Sequence, residues 1–350
     1  MNDVHENNNL EHPFHSALWR KPELFRQGHP DYYARALDFA HVEVRNHYQA
    51  LINELLERYD LDGLELDFLR EPYLFSRGKE QEGRQTLTAW LRGIRALTDV
   101  AAKRRGHAVR LGVRVPSAPD AALGLGLDAP AWAKEGLVDL VVVASRWETL
   151  EFDLPLATWR ELLGNRVTLA GGLEVNYRPY RAAAPRLVTR EEATGAAVAV
   201  LTGGADAVYL FNYFQHGHPG WPLSEYTRML KSFSSLDALL RLPRRHAVTY
   251  RDITSLTETY RPPLPACGKR LSFSLPLGPA AATGWKIETT VEVVTPVPED
   301  KSPGVLLNGV AGKLLRSETV TSGGRVLTHA FPVTRSEERR VGKECRSRWA

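Results

Sequence analysis

The sequence predicts an α/β fold in which parallel strands alternate with helices, followed by a smaller antiparallel β-rich part. Helix-like and strand-like apolar patterns alternate from Val42 to Leu240, with five strand segments among them. Those strands set a greasy face against a small or polar one. A doubly wound sheet is apolar on both faces, whereas a barrel can hold polar side chains inside, so the pattern favours a barrel. After Arg245 the texture changes to short alternating runs separated by Pro and Gly.

The elements follow in order. Apolar residues at 44, 48, 51, 52, 55, 56 and 59 share one helical face and predict a helix over Val42–Tyr59. Asp60–Gly63 breaks that period, and LELDF, Leu64–Phe68, reads as a short strand. A long helix is expected over Gln85–Lys103, then the strand RLGVRVP (Arg110–Pro116). A helix over Pro130–Glu135 leads into the strand Leu137–Ser145, and a helix over Leu156–Leu163 into the strand Val167–Glu174. Thr189 and Glu192 have capping-box spacing and open the next helix. The strand Ala207–Phe214 and a final helix over Leu223–Leu240 close the series. No glycine-rich phosphate loop follows any strand, which argues against a nucleotide fold.

Beyond the junction Arg241–Val248, the runs RLSFSLPL, GWKIETTVEVV, GVLLNGVAGKLL and GRVLTHAFPV predict antiparallel strands, with Asn308-Gly309 as a hairpin turn. The division expected is a partial barrel over residues 1–245, a truncated β-sandwich-like accessory domain over 246–334, and a tail over 335–350. Arg335–Trp349, RSEERRVGKECRSRW, matches the translation of a short-read sequencing adapter and is read as non-native. The tail carries six basic and three acidic residues, so without it the net charge of +4 falls to +1 and Cys267 is the only cysteine. A lone cysteine forms no internal disulfide.

The composition narrows the partners. No basic block interleaved with aromatics points to nucleic acid, and no apolar run approaches the roughly 20 residues of a membrane helix. The first residues are too polar for a secretory signal, and the compartment stays open.

The chemistry sits in LELDF. Alternation sends Glu65 and Asp67 to one face and Leu64, Leu66 and Phe68 to the other, so both carboxylates face the barrel lumen. Catalytic side chains of such barrels gather at the C-terminal ends of the strands, which puts Asp67 at the rim and Glu65 one layer deeper. Glu174 ends a later strand with the same inward parity. Two carboxylates across a barrel mouth are what glycoside cleavage needs, one to protonate the leaving oxygen and one to attack the sugar or activate water. The alternative is structural, since buried carboxylates are usually paired. Arg114 and Arg70 are the cations at hand, as charge partners or as substrate contacts, and the expected division has Glu65 anchoring Arg114 while Asp67 moves the proton. Trp147 and Asn212 end strands with expected inward parity and would stack on a sugar face and bond a hydroxyl. His216 and His218 lack a third ligand, so no metal or other cofactor is expected.

Leu37–Pro72, together with LGVRVP, Gly126–Trp147 and Gly203–Phe214, resembles the bacterial glycosyl hydrolase-like TIM-barrel proteins labelled family-10-like. The resemblance covers nearly all of residues 1–240. It implies a (β/α)8 barrel acting on carbohydrate, with the strands counted here as numbers four to eight and the first three missing. By the same likeness MNDVH ends strand three, which would bring Asn2, Asp3 and His5 to the rim. The layout is similar to retaining barrel glycosidases with an acid/base on strand four and a nucleophile on strand seven, which would make Asp67 the acid/base and Glu174 the nucleophile. This chain departs from that group in having LDF where an asparagine-glutamate pair is usual. The readings that result are a glycoside hydrolase, a carbohydrate-binding barrel without turnover, and a metal-dependent hydrolase using His5, His216 or His218. An incomplete barrel would expose the unpaired side of Leu64–Phe68, so poor solubility is expected of the chain alone.

Overall fold

The structure, a computed structural model, describes residues 15–28, 35–146, 149–180, 183–214, 221–249, 263–264, 266–279, 286–293, 303–319, 324–331 and 346–348. Helix α1 (Val42–Arg58) buries Val44, Ile52 and Leu56 and stops at Tyr59, whose N–H bonds back to Leu55. Strand β1 (Gly63–Asp67) begins on a glycine for a steric reason: a Cβ there would sit 2.7 Å from the Arg110 carbonyl oxygen. Helix α2 (Glu80–Arg105) is longer at both ends than the sequence pattern predicts, and Gly106, at φ 79°, ends it in the left-handed region. Strand β2 (Arg110–Pro116), the unforeseen short helix α3 (Pro119–Gly124), α4 (Ala129–Lys134) and β3 (Leu140–Ala144) follow. Then come α5 (Leu156–Leu163) and β4 (Thr168–Glu174).

After β4 the chain makes a hairpin of two-residue strands, β5 (Asn176–Tyr177) and β6 (Arg186–Leu187), that no sequence pattern announced. Helix α6 (Arg190–Thr202) starts with the expected capping box between Thr189 and Glu192. Strand β7 (Ala207–Phe211) ends the sheet. The expected single helix over Leu223–Leu240 is two, α7 (Leu223–Ser232) and α8 (Leu236–Leu240), because Ser235 caps the second by accepting from the Ala238 N–H.

The five long strands form one parallel sheet in the order β1-β2-β3-β4-β7. Its outward face is the core: Leu111, Val113, Val141, Val143, Leu169 and Leu173 are fully buried there. Helix α6 packs so closely that a Cβ on Gly171 would lie 2.7 Å from Val200. The sheet is curled. Register leads from Asp67 through Arg114, Val142 and Ala170 to Ala207 on β7, yet the Tyr209 hydroxyl donates to Glu65 Oε1 at 3.1 Å, so the two edge strands face each other across a concave inner surface.

The C-terminal part contains small antiparallel sheets. Strands β8 (Ser272–Ser274), β9 (Ile287–Val293), β10 (Leu306–Leu307), β11 (Val310–Ala311) and β13 (Arg325–Phe331) fall within the predicted runs, β12 (Lys313–Thr319) starts in one and extends four residues past its end at Leu315, and β14 (Arg346–Arg348), in the tail, pairs with β8. A three-stranded sheet has the order β12-β13-β9. The hairpin β10-β11 turns on Asn308 and Gly309, both at positive φ (51° and 86°), as an Asn-Gly turn requires. The junction is not a free linker: the Arg245 N–H donates to the Glu191 carbonyl at 2.8 Å, and Thr249 Oγ1 donates to the Leu150 carbonyl at 2.8 Å.

Candidate active site

The concave face carries the carboxylates, as alternation along LELDF predicts. The pairing among them differs from expectation. Arg114, opposite Asp67 in the β1-β2 register, donates from Nε to Asp67 Oδ1 at 3.0 Å and from Nη2 to Oδ2 at 2.7 Å. Asp67, not Glu65, is therefore the anchor of Arg114. The physical reason is register: a strand neighbour lies directly opposite, whereas Glu65 faces Gly112. Asp67 Oδ1 also accepts from the Leu69 and Arg70 N–H groups, each at 3.0 Å. Arg70 thus meets Asp67 through its backbone.

Arg114 is fully buried, and its guanidinium lies 4.0 Å from the centre of the Phe211 ring. A buried cation stacked on an aromatic face and forked onto a carboxylate is held in one geometry. Burial pushes the Asp67 carboxyl up, but the two Arg114 bonds, the Arg114 charge and the Arg70 N–H outweigh it and hold Asp67 below its usual range. Asp67 is an anion at neutral pH.

Glu174 is in the opposite condition. It ends β4 at 4% exposure, and burial pushes its carboxyl up to about 7 against hydrogen bonds from Asn176 and Val175 and the charge of Arg114. Asn176 donates to Glu174 Oε1 twice, from its backbone N–H at 3.2 Å and from Nδ2 at 3.1 Å. Behind it the buried Tyr213 hydroxyl donates to the Glu174 carbonyl at 3.2 Å. Glu65 is exposed as a residue, and partial loss of hydration at its carboxyl is the chief cause that raises it. Burial and the nearby Glu65 push its partner Tyr209 up to about 12, so the phenol stays the donor.

Small residues make room between these groups. On β3 and β4 the inward positions include Ala144, Ala170 and Gly172, and a side chain at Gly172 would collide with the Ala144 methyl. The polar groups therefore come from β1, β2 and the end of β4, with the aromatics on β7.

Asn212 does not have the inward parity expected of it. Tyr209 and Phe211 are the β7 residues on the concave face, as their contacts with Glu65 and Arg114 show, while Asn212 lies one residue past the strand, exposed, at φ 58°. Trp147, Asn2, Asp3 and His5 lie outside the described residues, as do His216 and His218. Among the described residues no group of three or more His, Cys, Asp or Glu is placed to hold a metal ion, and no helix is long and apolar enough to cross a membrane. Sequence reasoning missed Tyr209, Phe211 and Asn176, and also the buried pair Glu71–Arg146, 3.5 Å apart beyond the ends of β1 and β3. The inward phase of YLF, alternating Tyr-Leu-Phe, was the available signal for the two aromatics.

No family model matches the chain, and no curated protein matches it.

Proposed function

We propose that the chain is the strand-four-to-eight portion of a (β/α)8 glycosidase-like barrel and that its concave face hydrolyses a glycosidic bond in an oligo- or polysaccharide. The observation that carries this reading is a pair of carboxyls whose surroundings drive their proton affinities apart: Asp67 held ionised by Arg114, and Glu174 held protonated to about pH 7 by burial. Such divergence assigns acid and base roles in carboxylate catalysis. Here it exchanges the roles that the family likeness implies. Glu174 is the proton donor to the leaving oxygen, and Asp67 is the anion that attacks or stabilises the sugar cation, with Arg114 fixing its orientation. Glu65, bonded to Tyr209 and two residues before Asp67 on β1, acts on the field of the site.

The barrel reading draws support from the contact between the two edge strands. Tyr209 stands two residues past the register partner of Ala170, and it meets Glu65, two residues before Asp67. An offset of four residues over four strand steps is in keeping with the stagger that an eight-stranded barrel with a shear of about eight would need.

A second reading, a carbohydrate-binding barrel without turnover, is favoured by one feature: Asp67 Oδ1 already takes three donors, from Arg114, Leu69 and Arg70. Asp67→Asn and Glu174→Gln separate the two. Under the hydrolase reading the parent releases reducing ends from at least one glycan of a broad panel, and Glu174→Gln keeps binding that glycan without cleaving it. Binding by the parent with no release from any glycan supports the second reading. Elemental analysis of the purified chain tests the metal-dependent alternative, which predicts stoichiometric metal.

A further inference from the structure

We propose that Asn176 is a positioning residue that confines the proton of Glu174 to Oε2, so that this oxygen alone delivers it. The inference rests on the proposed acid role of Glu174 for its catalytic meaning, but its geometry stands apart from that role.

Both donors of Asn176 converge on one oxygen. The backbone N–H and Nδ2 reach Glu174 Oε1 at 3.2 and 3.1 Å. A carboxyl oxygen that accepts two hydrogen bonds serves as the carbonyl oxygen of the neutral acid, because a proton placed there would face the two donors. The hydroxyl is then Oε2. A carboxyl without such donors would exchange its proton between both oxygens and present it in two directions, only one of them toward a bound leaving group.

The backbone around Asn176 is pinned from three sides, which makes this a built arrangement. The Asn176 carbonyl accepts from the Leu150 N–H at 2.8 Å, and the Val175 carbonyl accepts from the Val188 N–H at 2.9 Å. Across the hairpin, Arg186 donates to both carboxylate oxygens of Glu192 at 2.8 and 2.7 Å and stacks over Tyr177 at 4.0 Å. Glu192 is also the capping-box residue of α6, so the hairpin is tied to the helix that packs on the sheet. The other polar groups facing Glu174 are the Val175 N–H, Arg114 from β2, by its charge, and Tyr213 after β7, whose hydroxyl bonds the Glu174 backbone carbonyl.

Two measurements on the full chain test this without reading turnover, so they can fail while the hydrolase reading stands, and the reverse. In the parent at pH 5, the carbonyl stretch of the neutral Glu174 carboxyl, identified as the infrared band missing in Glu174→Gln, is expected at the low-frequency position of a doubly hydrogen-bonded carbonyl. A band at the position of a free carbonyl overturns the proposal. In Asn176→Ala, the carboxyl carbon of Glu174 followed by 13C NMR is expected to titrate higher than in the parent, by roughly half a unit to one unit, because a donor to the charged form is lost. Asn176→Asp is expected to move it further the same way. An unchanged or lower midpoint in both variants contradicts the positioning role.

Discussion

Arg114 and Asp67 meet through two parallel hydrogen bonds, at 3.0 and 2.7 Å, on adjacent strands at the same register position. The pair sets the electrostatics of the concave face: it neutralises the fully buried Arg114 and, among the described residues, leaves Glu174 with no ion pair among its hydrogen bonds.

Removing Asp67 strands that cation. Asp67→Ala is expected to destabilise the chain by about 3 kcal/mol, the lower end for a broken buried pair, since the Asp67 side chain keeps 30% exposure against 1% for Arg114. Urea titration of parent and variant reads the difference. Because the folded pKa of Asp67 is depressed, its contribution is present above the unfolded value of about 3.9 and is lost as pH falls through the lower folded value.

Glu174 gives the opposite slope. Its folded pKa is raised from 4.5 to about 7, so the neutral form stabilises the fold fully below pH 4.5, and this contribution is lost as pH rises through about 7. The change is on the order of 3 kcal/mol. Glu174→Gln is expected to flatten the decline in stability between pH 4.5 and 7, and melts across that range in parent and variant check it.

The α6 capping box supports the hairpin as well as the helix. Thr189→Ala is expected to cost about 1 kcal/mol in urea titration, the usual loss of a cap.

How much of this was legible follows from what each feature depends on. The inward face of LELDF depends only on period two, and it was readable; so was the capping box, a local spacing of three. The choice of Asp67 over Glu65 as the partner of Arg114 depends on the register between β1 and β2, which no single strand encodes. The hairpin after β4 is two residues wide on each side and carries no alternation to detect. Asn212 was misread because β7 ends at Phe211, one residue before it, and the inward phase follows the two aromatics. The curl of the sheet, which brings Tyr209 to Glu65, was signalled by the small and polar inner faces; its closure into a barrel is a further step that five strands do not make.

An open sheet has edges that associate. Among the described residues β1 pairs only with β2 and β7 only with β4, and Leu51 and Leu55 on α1 and Tyr59 at its C-cap, four apart in sequence, are 45, 41 and 53% exposed. The chain alone is expected to form concentration-dependent oligomers, and Leu51→Lys with Leu55→Lys to reduce them, in light scattering after size exclusion. A monodisperse monomer that melts cooperatively contradicts this.

The most direct test of the central claim is the pH profile of reducing-end release by the parent chain on a glycan it binds. With Asp67 ionised and Glu174 the acid, release is expected to fall as pH rises past about 7, where Glu174 loses its proton, and to vanish in Glu174→Gln. A rate that holds or rises through that range, or survives in Glu174→Gln, would contradict the account.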